Sequence, residues 1–496
     1  MPLNRAMLAL LCVALFTPVA ESQNIAFTQT SRNISYPAGF FIQGDINHDG
    51  YPDFLFGLSD SLNIYALNSN GPGTYVNWSI PTIYCPSFPL AFGDFQRNGK
   101  NDVLVSTGGA PSCAGASGNT FSDYVNDGTG IFKQYKSFPI TSYEADAAVV
   151  ADFNGDHKLD AVIIDGTLLE LVYGDGYGGF SSPYKIASLL GSPASLTTGL
   201  DNLIVGDFDG NGCPDVAWTE YEAYGQRGYQ SQLRIAYGDC HGNFSVVTQD
   251  NVIGEIDNLQ TADLNRDGVS DIVSTLDAAG QGVTNPTLQI FYGQKNRSLT
   301  TKLIGDPSLS GPIQVGDFNG DGYPDVAYMS NLSAGVAVRI VEGDAGQTFA
   351  ASGTYFISGG NYLPFQLSAG DFNRDGKDDL VMLAEVPPSS GLDFVTLTNT
   401  SAYPNGTCVP PVAPGIHVCS PGQSSGSTVD VLASATNDNP AVYMELWVDG
   451  VKRIGYGSTH ELRATLSLAP GNHRFVFFSS DAAGGQINVV SNVTVQ

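Results

Sequence analysis

The chain has 496 residues, with 21 Lys+Arg against 49 Asp+Glu and a formal net charge of −28. An acidic surface of that size repels phosphate backbones and argues against a nucleic-acid partner. With 42% apolar and only 14% charged residues the chain can bury cores, which excludes a polar disordered tail.

Residues 1–22 read as a secretory signal peptide. Arg5 supplies the positive start, Ala6–Phe16 is an apolar run, and Ala20-Glu21-Ser22 offers a small-x-small cleavage site near Ser22. The run is shorter than the ~20 residues of a membrane span, and no later segment is long and apolar enough for one. The expected location is therefore secreted or at the cell surface. Six cysteines remain after cleavage: Cys85, Cys113, Cys213, Cys240, Cys408 and Cys419. An even number in an exported chain favours disulfides, and pairing of sequence neighbours is the simplest connectivity.

Residues 23–402 carry an internal repeat. Seven nine-residue segments begin at Asp45, Asp94, Asp152, Asp207, Asp263, Asp317 and Asp371, spaced 49, 58, 55, 56, 54 and 54 residues apart. A short strand leads into each, such as Phe40–Gln43 or Leu203–Val205. A short apolar strand follows, such as Phe54–Phe56, Val103–Val105 or Ala161–Ile164. A third strand (Leu169–Tyr173, Leu233–Tyr237, Leu288–Tyr292) and a Gly-rich turn precede a fourth, opened by Tyr75, Phe132, Phe180, Phe244, Leu299 or Phe349. Period-two alternation with β-branched and aromatic residues predicts strands throughout, and no helical stripe stands out. Four strands per repeat of ~50 residues is the grammar of a β-propeller blade. The seventh unit lacks a fourth strand, and Phe27 stands 18 residues before Asp45 much as Leu299 stands 18 before Asp317. The N-terminal strand is therefore expected to complete the last blade and close a seven-bladed ring, removing its exposed edges.

The segments follow D-x-[DN]-x-[DN]-G-x-x-D. Side-chain oxygens at positions 1, 3, 5 and 9, with a backbone carbonyl at 7, suit a hard cation of calcium size, and Gly at 6 permits the sharp turn. The candidate ligands are Asp45, Asn47, Asp49, Tyr51 and Asp53 in the first loop, and Asp94, Asn98 and Asp102 in the second. The third offers Asp152, Asn154, Asp156, Lys158 and Asp160; the fourth Asp207, Asp209, Asn211, Cys213 and Asp215. The fifth offers Asp263, Asn265, Asp267, Val269 and Asp271; the sixth Asp317, Asn319, Asp321, Tyr323 and Asp325; the seventh Asp371, Asn373, Asp375, Lys377 and Asp379. The second loop is the poorest, since Gln96 and Asn98 leave it two carboxylates, and the third has His157 where Gly is expected. Position 12 is never Glu, so these are not EF-hands. Five to seven Ca²⁺ ions are expected, in a structural role. Twenty of the 49 acidic residues sit at these positions, so the charge is mainly a statement about metal.

These segments resemble the FG-GAP/VCBS repeats of integrin α-subunit head domains and of many secreted bacterial propeller proteins, over about residues 24–400. The resemblance implies a calcium-stabilised seven-bladed propeller that binds glycans or proteins.

Residues 403–413 form a Pro-rich linker. In 414–496, alternating segments at Val429–Ala433, Tyr443–Val448, Leu462–Leu466, Arg474–Phe478 and Ile487–Val490 predict a small sandwich resembling bacterial Ig-like modules, with Trp447 as its buried tryptophan.

No catalytic residue is assigned. Gly422-Gln423-Ser424-Ser425-Gly426 matches a nucleophile-elbow string without its strand–turn–helix setting. The six histidines show no ligand spacing, and His473 reads as a corner hydrogen-bonder. Tyr229, Tyr355 and Tyr362 are candidate sugar-stacking aromatics, with core packing as the alternative. The sequence therefore favours a monomeric calcium-dependent binding or adhesion module for an extracellular glycan or protein. A polysaccharide-active, lyase-like propeller enzyme is the alternative.

Overall fold

The computed structural model describes residues 25–34, 38–47, 51–58, 63–69, 75–81, 87–107, 120–140, 145–189, 203–223, 229–277, 286–321, 323–344, 347–358, 362–373, 377–386, 392–401, 408, 410–411, 414–420, 428–437, 441–457, 461–481 and 485–495. The proposed signal peptide, Cys85, Cys113, His48 and the Gly422–Gly426 string lie outside the described residues.

Every element among the described residues is a β-strand, in the order the alternation predicts. The first repeat pairs β2 (Ala38–Gly44), β3 (Asp53–Leu58), β4 (Asn63–Ser69) and β5 (Tyr75–Pro81). The second pairs β6 (Ser87–Gly93), β7 (Asp102–Thr107), β8 (Thr120–Asn126) and β9 (Phe132–Pro139). A single pair, Leu58 with Ser87, joins these two meanders into one eight-stranded sheet. Four separate four-stranded antiparallel sheets follow in chain order. They are β10 (Ala145–Ala151), β11 (Asp160–Asp165), β12 (Leu168–Val172), β13 (Tyr184–Ser188); β14 (Leu203–Gly206), β15 (Asp215–Ala223), β16 (Tyr229–Gly238), β17 (Phe244–Ile253); β18 (Glu255–Ala262), β19 (Asp271–Asp277), β20 (Thr287–Gly293), β21 (Leu299–Gly305); and β22 (Leu309–Gly316), β23 (Asp325–Leu332), β24 (Gly335–Glu342), β25 (Ala350–Phe356).

The last repeat contributes β26 (Leu363–Gly370), β27 (Asp379–Glu385) and β28 (Leu392–Asn399), and its fourth strand is β1 (Phe27–Ile34). The register of this long-range pair is that of the local ones. Phe27 stands opposite Asn399 as Phe132 stands opposite Asn126 and Leu299 opposite Gly293. Between β2 and β26, Phe41 N–H donates to Gln366 Oε1 at 2.7 Å, and Gln366 Nε2 returns a bond to the Phe41 carbonyl at 2.7 Å.

Core packing runs from sheet to sheet. Apolar clusters join each repeat to the next, as where Leu55 and Ile46 meet Val103 and Tyr124, or Val338 and Ile340 meet Leu380 and Met382. Another cluster brings Phe394 and Phe372 of the last repeat against Phe41, Phe54 and Phe56 of the first. The result is an all-β, β-propeller-like repeat fold. Tyr362 is buried in this packing with its hydroxyl 3.2 Å from Asp393 Oδ2, and Tyr355 meets the Phe27 ring edge-on. Tyr362 is a core residue and Tyr355 packs half-buried against the same cluster; the Tyr229 side chain lies outside the described residues.

The C-terminal strands form two facing sheets. One holds β29 (Gly415–Ser420), β30 (Thr428–Thr436) and β33 (Glu461–Ser467). The other holds β31 (Ala441–Val448), β32 (Val451–Gly457), β34 (Gly471–Asp481) and β35 (Gln486–Val495). Asp449 and Gly450, at φ 53° and 79°, make the two-residue turn between β31 and β32 that a right-twisted hairpin prefers. Met444, Leu446 and Val448 point inward against Val431, Phe475 and Phe477. The expectation for Trp447 is therefore wrong. Trp447 shares parity with Tyr443 and Glu445 on the opposite face, half-buried, with Nε1 donating to Glu445 Oε1 at 2.6 Å. His473 is the corner hydrogen-bonder expected, placing Nδ1 2.6 Å from Asp449 Oδ2 and Nε2 2.8 Å from the Ala469 carbonyl.

Disulfides join Cys213 to Cys240 and Cys408 to Cys419, two of the three neighbour pairs.

Candidate metal centre

Each nine-residue loop links the first strand of a repeat to the second. Its second residue anchors it: Ile46, Phe95, Phe153, Phe208, Leu264, Phe318 and Phe372 are all buried. The aspartate at position 1 then caps the turn. Asp263 accepts Asp267 N–H on Oδ1 at 3.0 Å and Gly268 N–H on Oδ2 at 2.9 Å. Asp207 does the same for Asn211 and Gly212, and Asp94 for Asn98 and Gly99.

The aspartate at position 9 is a staple as much as a candidate ligand. Asp271 is fully buried, with Leu264 N–H at 2.9 Å on one oxygen and Gly293 N–H at 2.9 Å on the other. Asp160, Asp215 and Asp325 repeat this with Phe153 and Gly174, Phe208 and Gly238, and Phe318 and Gly343. At Gly238 a Cβ would meet the Pro214 carbonyl at 2.3 Å, so the close approach requires glycine. Where Asn126 and Asn399 stand instead, the side-chain amide bonds the Ile46 or Phe318 carbonyl of the preceding loop. Asp271→Ala leaves two buried N–H groups unpaired and is expected to cost about 3 kcal/mol in urea unfolding, with Asp271→Asn losing less.

The donor set gathers best at the fourth loop. One oxygen from each of Asp207, Asp209 and Asp215 lies within 4.8 Å of the others. Asn211 adds an amide oxygen, which accepts Cys213 N–H at 2.6 Å. Arg297 of the next repeat donates Nε to Asp209 Oδ2 at 2.7 Å, a counter-charge the motif does not reveal. In the third loop, Lys158 Nζ lies 2.8 Å from Asp156 Oδ2, so a position-7 side chain sits on a candidate ligand. In the sixth, Asp317, Asn319, Asp321 and Tyr323 share one hydrogen-bonded turn. In the first loop Asp53 Oδ2 accepts Ile46 N–H at 2.7 Å and Asn47 N–H at 3.3 Å. Asp379 accepts Phe372 N–H in the seventh. Asp49 and Asp375 lie outside the described residues.

The electrostatics follow from crowding carboxylates below the surface. Burial pushes Asp102, Asp160 and Asp263 up to about 7, and Asp215 and Asp271 up to about 8, with neighbouring carboxylates adding to the shift. Asp325 is raised by burial and then by Asp317 and Asp321. An all-oxygen, carboxylate-rich set of this kind fits a hard divalent cation of calcium size. Cys408 and Cys419 also converge with His417, but they are joined to each other and offer no thiolate.

Two features escaped the motif. Position 4 is left-handed as well as position 6, in Gly155, Gly210 and Gly320 but also in Arg97 and Arg266 at φ 55° and 57°. The recurrence of Gly at position 4 was the available signal. Position 8 ties each loop to its predecessor where chemistry allows. Asn101 Nδ2 donates to the Asp45 carbonyl, and Asp378 Oδ2 accepts Asp317 N–H. Ser270 both donates and accepts: its N–H bonds the Asp207 carbonyl and its Oγ accepts Asp207 N–H. His157 occupies position 6 at φ 63°, with its side chain 90% exposed. His157→Gly removes the left-handed penalty without losing packing, and is expected to stabilise by about 1 kcal/mol in urea unfolding.

The C-terminal sheets lie against this loop face. A Cβ at Gly268 would meet the Gly455 carbonyl at 3.5 Å, and the charges of Arg463 and Arg266 act on Asp321.

With the geometry in hand, the family described as FG-GAP-like repeat matches residues 45–105, 263–328 and 317–382. Those stretches carry FG-GAP-like repeats. No curated protein matches its sequence. Among solved structures, an Agrocybe aegerita lectin that recognises non-reducing terminal N-acetylglucosamine is 15% identical, with TM-score 0.42 over 66% of this chain and 80% of that one. Core factor of S. cerevisiae is 10% identical with TM-score 0.43, over 79% of this chain and 64% of that one. The Photorhabdus luminescens Tc holotoxin pore is 14% identical with TM-score 0.35, covering 87% of this chain and 22% of that one.

Proposed function

We propose that this FG-GAP-like repeat chain is a secreted, calcium-stabilised seven-bladed propeller with an Ig-like sandwich, acting as a binding or adhesion module for an extracellular glycan or protein. The observation that carries the reading is the convergence of Asp207, Asp209 and Asp215 at a half-buried loop whose sequence pattern recurs in every repeat. Sheet-to-sheet apolar clusters, with one joining the last repeat to the first, support the seven-blade ring. Two disulfides suit an oxidising compartment, and among the described residues no helix is long and apolar enough to cross a membrane.

Bound calcium would supply the positive charge that lets adjacent carboxylates stay ionised below the surface. Asp at position 1 and the Asp or Asn at positions 3 and 5 would hold it, while Asp at position 9 also secures the second and third strands. The test is retention of the full chain on a glycan array and on immobilised extracellular proteins, in calcium and in chelator. Calcium-dependent retention without turnover is expected. No retention on either surface would defeat the binding reading, and release of unsaturated product from a polyuronide would replace it with a lyase.

A further inference from the structure

The third strand of each repeat pairs with the second in one register, which defines an equivalent residue opposite Leu55, Leu104, Val162, Ala217, Val273, Ala327 and Val381. In six repeats that residue is Ala66, Leu171, Ile235, Ile290, Ile340 or Thr396. The last five are buried. In the second repeat it is Asp123, which is 1% exposed and, among the described residues, has no hydrogen bond to either carboxylate oxygen. A carboxylate in an apolar position is costly unless its charge is compensated.

Its surroundings show where compensation would come from. Asp123 Oδ2 lies 2.6 Å from where a Cβ at Gly178 would stand, and Gln96 Cγ lies 3.3 Å from the same point. The carboxylate therefore points out of its own sheet, into the gap between the loop at Asp94 and the 175–179 turn of the next repeat. Asp175 borders that gap, with Oδ1 accepting Tyr177 and Gly179 N–H groups. Asp102 and Asp175 add negative charge around Asp123, and Lys136 adds positive charge. Lys136 is half exposed, and its Nζ bonds Asp175 Oδ2 at 2.8 Å.

This is also the repeat whose loop is short of carboxylates, because positions 3 and 5 are Gln96 and Asn98. We propose that Asp123 is a cation ligand, supplying from the third strand the charge that Gln96 and Asn98 do not supply, at a hard divalent-cation site between the Asp94 loop and the 175–179 turn. Asp123 is its inner donor and Asp175 the donor from the adjoining repeat, while Gln96, whose amide oxygen accepts Asn98 Nδ2 at 3.0 Å, flanks it from the loop. The proposal rests on the reading of the other loops as calcium sites.

The test counts calcium ions per full-length chain by equilibrium dialysis, for wild type, Asp123→Leu and Asp123→Asn. Leucine is what the third repeat carries at this position, so the variant should fold. Both variants are expected to bind one ion fewer than wild type. Asp123→Leu should melt higher than wild type in chelator, yet gain less from added calcium. Equal ion counts and equal calcium-induced melting shifts in all three proteins would overturn the proposal, leaving Asp123 neutralised by a proton or by Lys136. A wild type that binds no calcium would instead defeat the loop reading itself.

Discussion

Deletion of residues 25–34 lowers the stability of the repeat region by about 5 kcal/mol or more, while deletion of residues 414–495 changes it far less. The first figure follows from what β1 covers. Phe27 and Ile34 are both buried, and full burial of such side chains is worth about 1.5–3 kcal/mol each. Phe27 packs into the cluster shared with the sixth repeat, and Ile34 into the one shared with the first, so β1 secures both flanks of the last sheet. Without it, β28 becomes an exposed edge, and eight paired positions are lost. Anchors outside the ladder disappear too, including Gln29 with Ser358 and Ala26 with Thr400 and Ser401. The C-terminal sheets have their own core, so removing them costs the repeats only surface contacts such as that at Gly268. Urea unfolding of the two truncations, followed by circular dichroism, checks this. Similar midpoints for both would show that β1 does not close the ring.

Calcium should raise the melting temperature strongly, and the size of the rise should grow with pH. Each site that binds only the folded state adds about 2.7 kcal/mol at a hundredfold excess over its Kd, and several sites act together. The pH dependence differs with and without metal. Asp102, Asp160, Asp215, Asp263 and Asp271 have folded pKa values of about 7 to 8, raised by burial above the unfolded value near 4. The metal-free folded state therefore holds more protons than the unfolded one, and its stability falls as pH rises from about 4 to 8. Calcium competes with those protons, so the loaded protein holds its stability over the same range. Thermal melts at pH 5, 6, 7 and 8, in calcium and in chelator, read this out directly. Parallel curves that never diverge would remove the calcium assignment.

Much of this molecule is legible locally. The loops, the strand order and the Phe27 offset follow from alternation and Asp/Asn/Gly turn chemistry, which act over a few residues. The Ig-like pattern puts a buried tryptophan at Trp447, but its parity with Glu445 places it on the outer face. Spacing puts an oxygen at position 9 and makes that aspartate a candidate ligand. Spacing does not show that Gly293 N–H, 22 residues on, lies opposite Asp271.

From its own residues the chain already settled a repeated four-strand unit with an acidic loop between the first two strands, because turn geometry and alternating burial are short-range properties. Which carboxylates meet Arg297 across 88 residues, and which is enclosed like Asp123, depended on the sheet that came to lie alongside. Whether an acidic side chain is solvated, paired or stranded is set by neighbours distant in the chain, and those neighbours exist only once the sheets have packed.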